Sequence, residues 1–317
     1  MTDPTAGTER RDVAFDADGT TLRGWFYPAA DRQGAPGPAV VMTHGFSLVK
    51  EVYLDRFAER FAASGLSVLL YDHRNFGASD GTPRQEIDPW RQIEDYRHAL
   101  TFLSTLPEVD ADRLGVWGTS YSGAHAVVVG ATDLRVKAVV AQVPAMNGVE
   151  TGWRRTPMAQ IGDLGRAFAA ERLARMSGEP ARTRPVAGDP SEGPVYTAPD
   201  ALEFFLNDTA VAPSYRNEVT VRSGEWSRAY NAGSYIEMVS PRPLLMIVGD
   251  DDTLSGTDLQ LEAYGRAREP KELRLIPGGH FDPYVKQFEA ASSAAADFLA
   301  KHLNTERLNT ERLNTNR

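Results

Sequence analysis

The chain has 317 residues, a formal net charge of −9 and no cysteine. Without cysteine there are no disulfides, no thiolate catalysis and no cysteine-ligated metal. An acidic chain with no basic cluster argues against a nucleic-acid partner and gives no support for binding to anionic membranes.

A hydrophobic content of 42% and a charged content of 24% are those of a globular chain, long enough for one large core or for a core and an insertion. The first ten residues contain no apolar stretch of the kind a signal peptide needs. No apolar run reaches membrane-spanning length. The cytoplasm is the expected location.

Residues 12–27 alternate apolar and polar around Asp18-Gly19, which predicts an antiparallel hairpin. Ala39–Thr43 reads as a buried strand and Val52–Ala63 as a helix. Ser67–Asp72 is a second buried strand, and Ile93–Leu106 an amphipathic helix. Arg113–Trp117 predicts a strand, Gly123–Val129 a packed helix, and Val136–Val143 another strand. Strands alternating with helices predict an α/β fold with a mostly parallel sheet and helices on both faces.

The alternation stops between Pro144 and Ser240 and resumes at Pro243. The expected organisation is a core over 1–143 and 241–302, with a helical cap or lid inserted at 144–240. A looped-out decoration unrelated to substrate is the competing reading. Residues 303–317 repeat Leu-Asn-Thr-Glu-Arg with a period of five, which matches neither helix nor strand. So polar a tail is expected to be a solvated, partly disordered or frayed extension of the last helix.

Residues 117–123 read Trp-Gly-Thr-Ser-Tyr-Ser-Gly, between a predicted strand and a predicted helix. A serine on such a turn has the context of a nucleophile elbow, in which a strained backbone lifts the hydroxyl clear of the sheet. Gly118 supplies the small neighbour on one side of Ser120, and Ser122 stands where glycine is more usual. An acyl-transfer serine needs a base and an orienting acid, and in this type of fold they follow in the order serine, acid, histidine. The apolar stretch from Pro243 ends in Asp250, Asp251 and Asp252, any of which could be the acid. The stretch from Glu272 ends in a Gly-Gly turn carrying His280, the expected base. Both lie just past predicted strands, at the edge where open α/β sheets bind ligands. No histidine or carboxylate pair has ligand spacing, so no metal is expected, and acyl transfer by a serine calls for no other cofactor.

From about residue 12 to about residue 302 the chain resembles α/β-hydrolases of the dienelactone-hydrolase-like or polyketide-transferase-like group. The residues that carry the likeness are His44-Gly45-Phe46 with Val49-Lys50-Glu51, Tyr71 to Gly81, the Ser120 elbow, Gly148 to Arg155, and Gly278 to Asp282. Asn75, like Ser122, stands where many such hydrolases have glycine. The resemblance implies that Asp252, three residues after Gly249, is the acid. It also implies a backbone oxyanion hole from the N–H groups of Tyr121 and Phe46, with His44 shaping the loop. Esterases, thioesterases, acyl transferases and some C–C bond hydrolases share these marks.

The expected function is therefore a serine hydrolase that cleaves a small-molecule carboxylic ester or thioester through an acyl-enzyme. An acyl transferase or C–C hydrolase with the same triad, and a ligand-binding receptor on the same fold, are the rivals. Trp153, Phe204, Phe205, Tyr215, Trp226 and Tyr230 are candidates for an apolar substrate pocket, against packing into a small core of the cap. Arg154-Arg155 could meet an anionic group on a substrate, against the plainer reading of a solvated pair. The sequence leaves open whether the chain forms a homo-oligomer.

Overall fold

The computed structural model describes residues 10–30 and 35–304. The hairpin is β1 (Arg11–Ala17) and β2 (Thr20–Tyr27). It is followed by β3 (Gly37–Thr43), α1 (Leu54–Ala63), β4 (Ser67–Tyr71) and α2 (Pro89–Ser104). Next come β5 (Val109–Thr119), α3 (Tyr121–Thr132) and β6 (Val136–Gln142). Helix α2 begins four residues before the expected start. The Asp88 side chain accepts the N–H groups of Trp90 and Arg91, and Pro89 occupies the first turn, where its missing N–H costs nothing.

Residues 148–229 hold α4 (Gly148–Arg155), α5 (Ile161–Met176), β7 (Thr183–Arg184), α6 (Pro199–Leu206), β8 (Val219–Thr220) and α7 (Val221–Ala229). The chain then returns through β9 (Leu244–Gly249), α8 (Thr257–Arg266), β10 (Lys271–Ile276) and α9 (Phe288–Asn304). No helix among the described residues is long and apolar enough to cross a membrane.

Eight strands form one sheet in the order β1-β2-β4-β3-β5-β6-β9-β10. The β1–β2 and β2–β4 pairings are antiparallel and the rest parallel. Every residue of β3, β4 and β9 is buried. Such continuous apolar strands need cover on both faces. Helix α1 packs with α9, and α2 packs with α3. Sequential connections run outward from β3 through β4, then restart at β5 on its other side. The topological switch therefore lies between β3 and β5, and a crevice opens there beyond the carboxyl ends of the strands.

The 144–240 segment is mostly helical, with a two-stranded antiparallel ribbon, β7–β8, that the sequence period did not reveal. It is fastened to the sheet domain by Glu86, which is buried and pairs with Arg175 and Arg222. Thr220 N–H also donates to Gln85 O at 2.9 Å. At the C-terminus, Leu303 belongs to α9 and is buried, where its side chain packs over Gly115. The polar repeat therefore starts inside a helix. Its remainder, 305–317, lies outside the described residues.

Candidate active site

Strand β5 leads directly into Ser120, the residue before α3, whose φ of 57° and ψ of −117° lie where L side chains are rare and strained. The surroundings hold that conformation. Ser120 N–H donates to Gln142 O at 2.8 Å, and its carbonyl accepts Ala124 N–H and Ala145 N–H at 3.2 and 3.0 Å. A Cβ on Gly118 would stand 2.1 Å from the Ser122 carbonyl oxygen, so only glycine fits. Ser122 is accommodated with its hydroxyl buried and hydrogen-bonded. The hydroxyl sits 2.8 Å from Thr43 O and accepts Thr119 N–H at 3.0 Å. Asn75, the other departure from glycine, has φ 73°, a left-handed conformation asparagine tolerates better than most residues.

His280 follows β10 on a turn in which Gly278 has φ 108° and Gly279 N–H donates to Asp282. Its Nε2 lies 2.9 Å from Ser120 Oγ and its Nδ1 2.8 Å from Asp252 Oδ2. Ser120, His280 and Asp252 are 8%, 1% and 3% exposed, so these contacts are made out of water. Asp252 also accepts the N–H groups of Leu254 and Ser255 on Oδ1 and the Gln260 amide on Oδ2. Burial pushes its carboxyl up, but the His280 ring together with these donors overcomes that and holds it below the ordinary carboxylate value.

The other two aspartates are exposed. Asp250 accepts Gly278 N–H at 2.8 Å, which ties the two strand ends together. Asp251 offers its backbone N–H to Gly278 O. Neither carboxylate approaches the ring.

Beyond β3, Gly45 lies against the elbow; a Cβ there would meet Ser120 Cβ at 3.0 Å. The next residue, Phe46, lines the same cavity as Ser120, and its ring stands edge-on to Tyr121 at 5.5 Å. His44 Nε2 accepts His73 N–H at 3.1 Å and its Nδ1 lies 3.0 Å from Gly45 O, so His44 fastens the loop. Burial lowers its pKa.

Residues 34–282 match the family model described as serine aminopeptidase, S33. The chain belongs to this α/β-hydrolase family. It is 32% identical over 297 residues to the polyketide transferase grgF of Penicillium sp., covering 93% of this chain and 97% of that one. It is 35% identical over 280 residues to a thiohydrolase of Eupenicillium brefeldianum, covering 86% and 88%. The crystal structure of the alpha/beta hydrolase GrgF from Penicillium sp. sh18 superposes with a TM-score of 0.80 at 29% identity, over 93% of this chain and 99% of that one.

In this hydrolase Ser120 opens on a cavity of about 770 Å³, lined by Phe46, Tyr121, Leu254 and residues of 145–228. None of the six aromatics expected to form a pocket lines it. Phe204 stacks on Phe281 at 4.2 Å, and Phe205 stacks on Tyr196 at 5.4 Å and on Tyr215 at 6.4 Å. Trp226 lies beneath the Arg222 guanidinium at 4.2 Å. The Tyr230 hydroxyl is 3.0 Å from His125 Nδ1. Trp153 is 52% exposed and borders an adjoining recess of about 210 Å³, which shares Leu164, Phe168 and Arg228 with the cavity wall. Short helices bury their largest apolar side chains against one another or against the core, as Phe204, Phe205 and Tyr230 do, while Tyr215 and Trp226 are half-buried and Trp153 is exposed.

The rings that do face the cavity are Phe46, Tyr121, Phe168 and Tyr196. Sequence reading missed Phe168, Tyr196, Arg184 and Arg228 in this wall. An arginine in a polar segment carries no signal that separates a cavity wall from solvent. The Arg154-Arg155 pair divides: Arg154 meets Glu150 and Asp258 on the surface, while Arg155 lines the cavity.

Proposed function

We propose that this hydrolase cleaves a carboxylic ester or thioester through an acyl-enzyme on Ser120, with His280 as base and Asp252 as orienting acid. The observation that carries the reading is the unbroken Ser120–His280–Asp252 chain at 2.9 and 2.8 Å, opening on the cavity. The relative named a thiohydrolase supports an ester-type substrate. We also propose that residues 144–240 act as a cap, since they supply most of the cavity wall.

As Ser120 Oγ attacks the carbonyl carbon, His280 Nε2 takes its proton. Negative charge builds on the carbonyl oxygen, where the N–H groups of Tyr121 and Phe46 receive it. The imidazolium, balanced by Asp252, then protonates the departing oxygen or sulfur. Water repeats the sequence on the acyl-enzyme. Asp252 fixes the tautomer that leaves Nε2 free to accept.

Ser120→Ala should lower turnover of an activated ester by about 10⁴-fold or more while the fold is kept. It should also abolish labelling by a fluorophosphonate. Retained labelling with activity within about tenfold would sink the assignment. Acyl transfer is the second reading, favoured by the relatives named polyketide transferases. It predicts that an added alcohol or amine diverts the acyl-enzyme from water in product analysis.

A further inference from the structure

The cavity wall carries an electrostatic imbalance. Arg155, Arg184 and Arg228 all line it. Among the described residues none of the three has a carboxylate at ion-pair distance. Elsewhere in the same segment Arg154, Arg166, Arg172, Arg175 and Arg222 each pair with a carboxylate. The acid in the wall, Asp163, is bonded to Arg166.

The three guanidinia make polar contacts, but none that cancels their charge. Arg155 donates to Leu254 O and lies over the Tyr196 ring at 4.9 Å. Arg228 donates to Thr156 Oγ1 at 3.0 Å. Arg184 Nε is buried with no hydrogen-bond partner. Burial, and then repulsion from Arg228, lowers the Arg184 pKa; burial, and then repulsion from Arg155, lowers that of Arg228. Guanidinium remains charged throughout ordinary pH. A chain of net charge −9 has carboxylates to spare, yet among the described residues the acid in this wall, Asp163, pairs with Arg166 and with none of the three. Arg184 and Arg228 are half-buried and Arg155 is exposed; even partial burial of charge without a counter-ion is costly, and a fork of N–H donors is the geometry that receives carboxylate or phosphate oxygens.

We propose that the cavity receives the anionic end of the substrate, a carboxylate or a phosphate group, between Arg155, Arg184 and Arg228 while the ester or thioester carbonyl rests at Ser120. The proposal rests on the reading of Ser120 as nucleophile and names the substrate class for that site. A carboxylate would come from the far end of the acyl chain. A phosphate would come from the leaving group, as in a phosphopantetheine-type thioester.

Two substrate pairs separate the sources. p-Nitrophenyl hydrogen adipate against p-nitrophenyl hexanoate varies only the acyl terminus. Hexanoyl-coenzyme A against S-hexanoyl-N-acetylcysteamine varies only the leaving group. At least one pair should show a preference for the anionic member of about tenfold or more in kcat/KM, and that pair identifies the source. Arg184→Gln and Arg228→Gln should each lower this ratio by about tenfold, and Arg→Lys at the same positions should restore part of it. Should Arg184→Gln fail to fold, Arg228→Gln and its lysine variant decide.

Binding to the intact protein, measured by calorimetry with adipamic acid, hexanamide and coenzyme A, does not depend on turnover. Anion binding without hydrolysis would support the arginine subsite but defeat the reading of Ser120, and with it the assignment of the anion to a substrate of that site. Hydrolysis with no anion preference in either pair, or a ratio unmoved in both glutamine variants, would overturn the proposal alone.

Discussion

The hydroxyl of Ser122 lies 2.8 Å from the carbonyl oxygen of Thr43. That contact joins the elbow to the last residue of β3, two residues before Gly45, whose backbone backs onto Ser120. Nucleophile and oxyanion loop are therefore held as one unit by a residue that replaces the usual glycine. Ser122→Gly removes a buried hydrogen bond and adds backbone freedom in the first turn of α3. It should cost about 1–3 kcal/mol in urea denaturation. An unchanged midpoint would show that the contact carries no stability.

Gly118 bears the steric demand of the elbow. A methyl group there meets backbone, the Ser122 carbonyl oxygen at 2.1 Å, and backbone in a packed helix start has nowhere to go. Gly118→Ala should abolish soluble folded protein or lower the melting temperature sharply, and any folded fraction should lose fluorophosphonate labelling. A stable, normally labelled variant would mean that the turn is less crowded than it stands.

The three aspartates after β9 should separate cleanly. Asp252→Asn leaves an amide opposite His280 Nδ1 and should lower kcat/KM on an activated ester by about 10⁴-fold. Asp250→Asn keeps an oxygen for Gly278 N–H, and Asp251 uses only its backbone. Both should stay within about tenfold of the parent. A larger loss at either neighbour would move the acid.

Acid should weaken the fold before it protonates Asp252. His44, His73 and His125 are buried with their pKa values lowered by burial, that of His125 to about 3. His125 is held neutral between the Tyr230 hydroxyl and Gln92. The unfolded chain takes up a proton on each near about pH 6.5, so in acid the unfolded state binds more protons. Stability is full above about pH 6.5 and declines as pH falls towards the folded values, by up to about 1.4 kcal/mol per pH unit for one such group. Asp252 has the same sign in a lower window, its contribution disappearing below about pH 4. His125→Gln should flatten the slope between pH 7 and 5 in denaturant titrations. An unaltered slope would assign the acid sensitivity elsewhere.

Substrate ranking should follow the rings that line the cavity. Tyr196→Ala and Phe168→Ala enlarge it and should reorder a series of acyl chain lengths by about 1–3 kcal/mol in relative kcat/KM. Trp153→Ala, in the adjoining recess and outside the cavity wall, should leave the order as it is. A reordering by Trp153→Ala alone would relocate the acyl site.

The sequence by itself determined the strand–helix alternation of the core, but not every element's end, nor the β7–β8 ribbon. Apolar runs of β-branched residues, glycines beside Ser120 and His280, and acids after β9 are local patterns, because strand period and turn chemistry act over a few residues. Which aspartate meets His280 was open on local pattern and was named from family resemblance. In space the relation depends on how the turn after β9 folds onto α8 and lends Asp252 the N–H groups of Leu254 and Ser255. The cavity wall was not legible. Trp153, Phe204, Phe205, Tyr215, Trp226 and Tyr230 stand apart from it, while Arg155, Arg184 and Arg228 come into it from α4, β7 and α7. An aromatic and an arginine in a segment without clear period carry no local sign of which way they face. Only packing against distant elements decides that, because a side chain's burial depends on every neighbour at once.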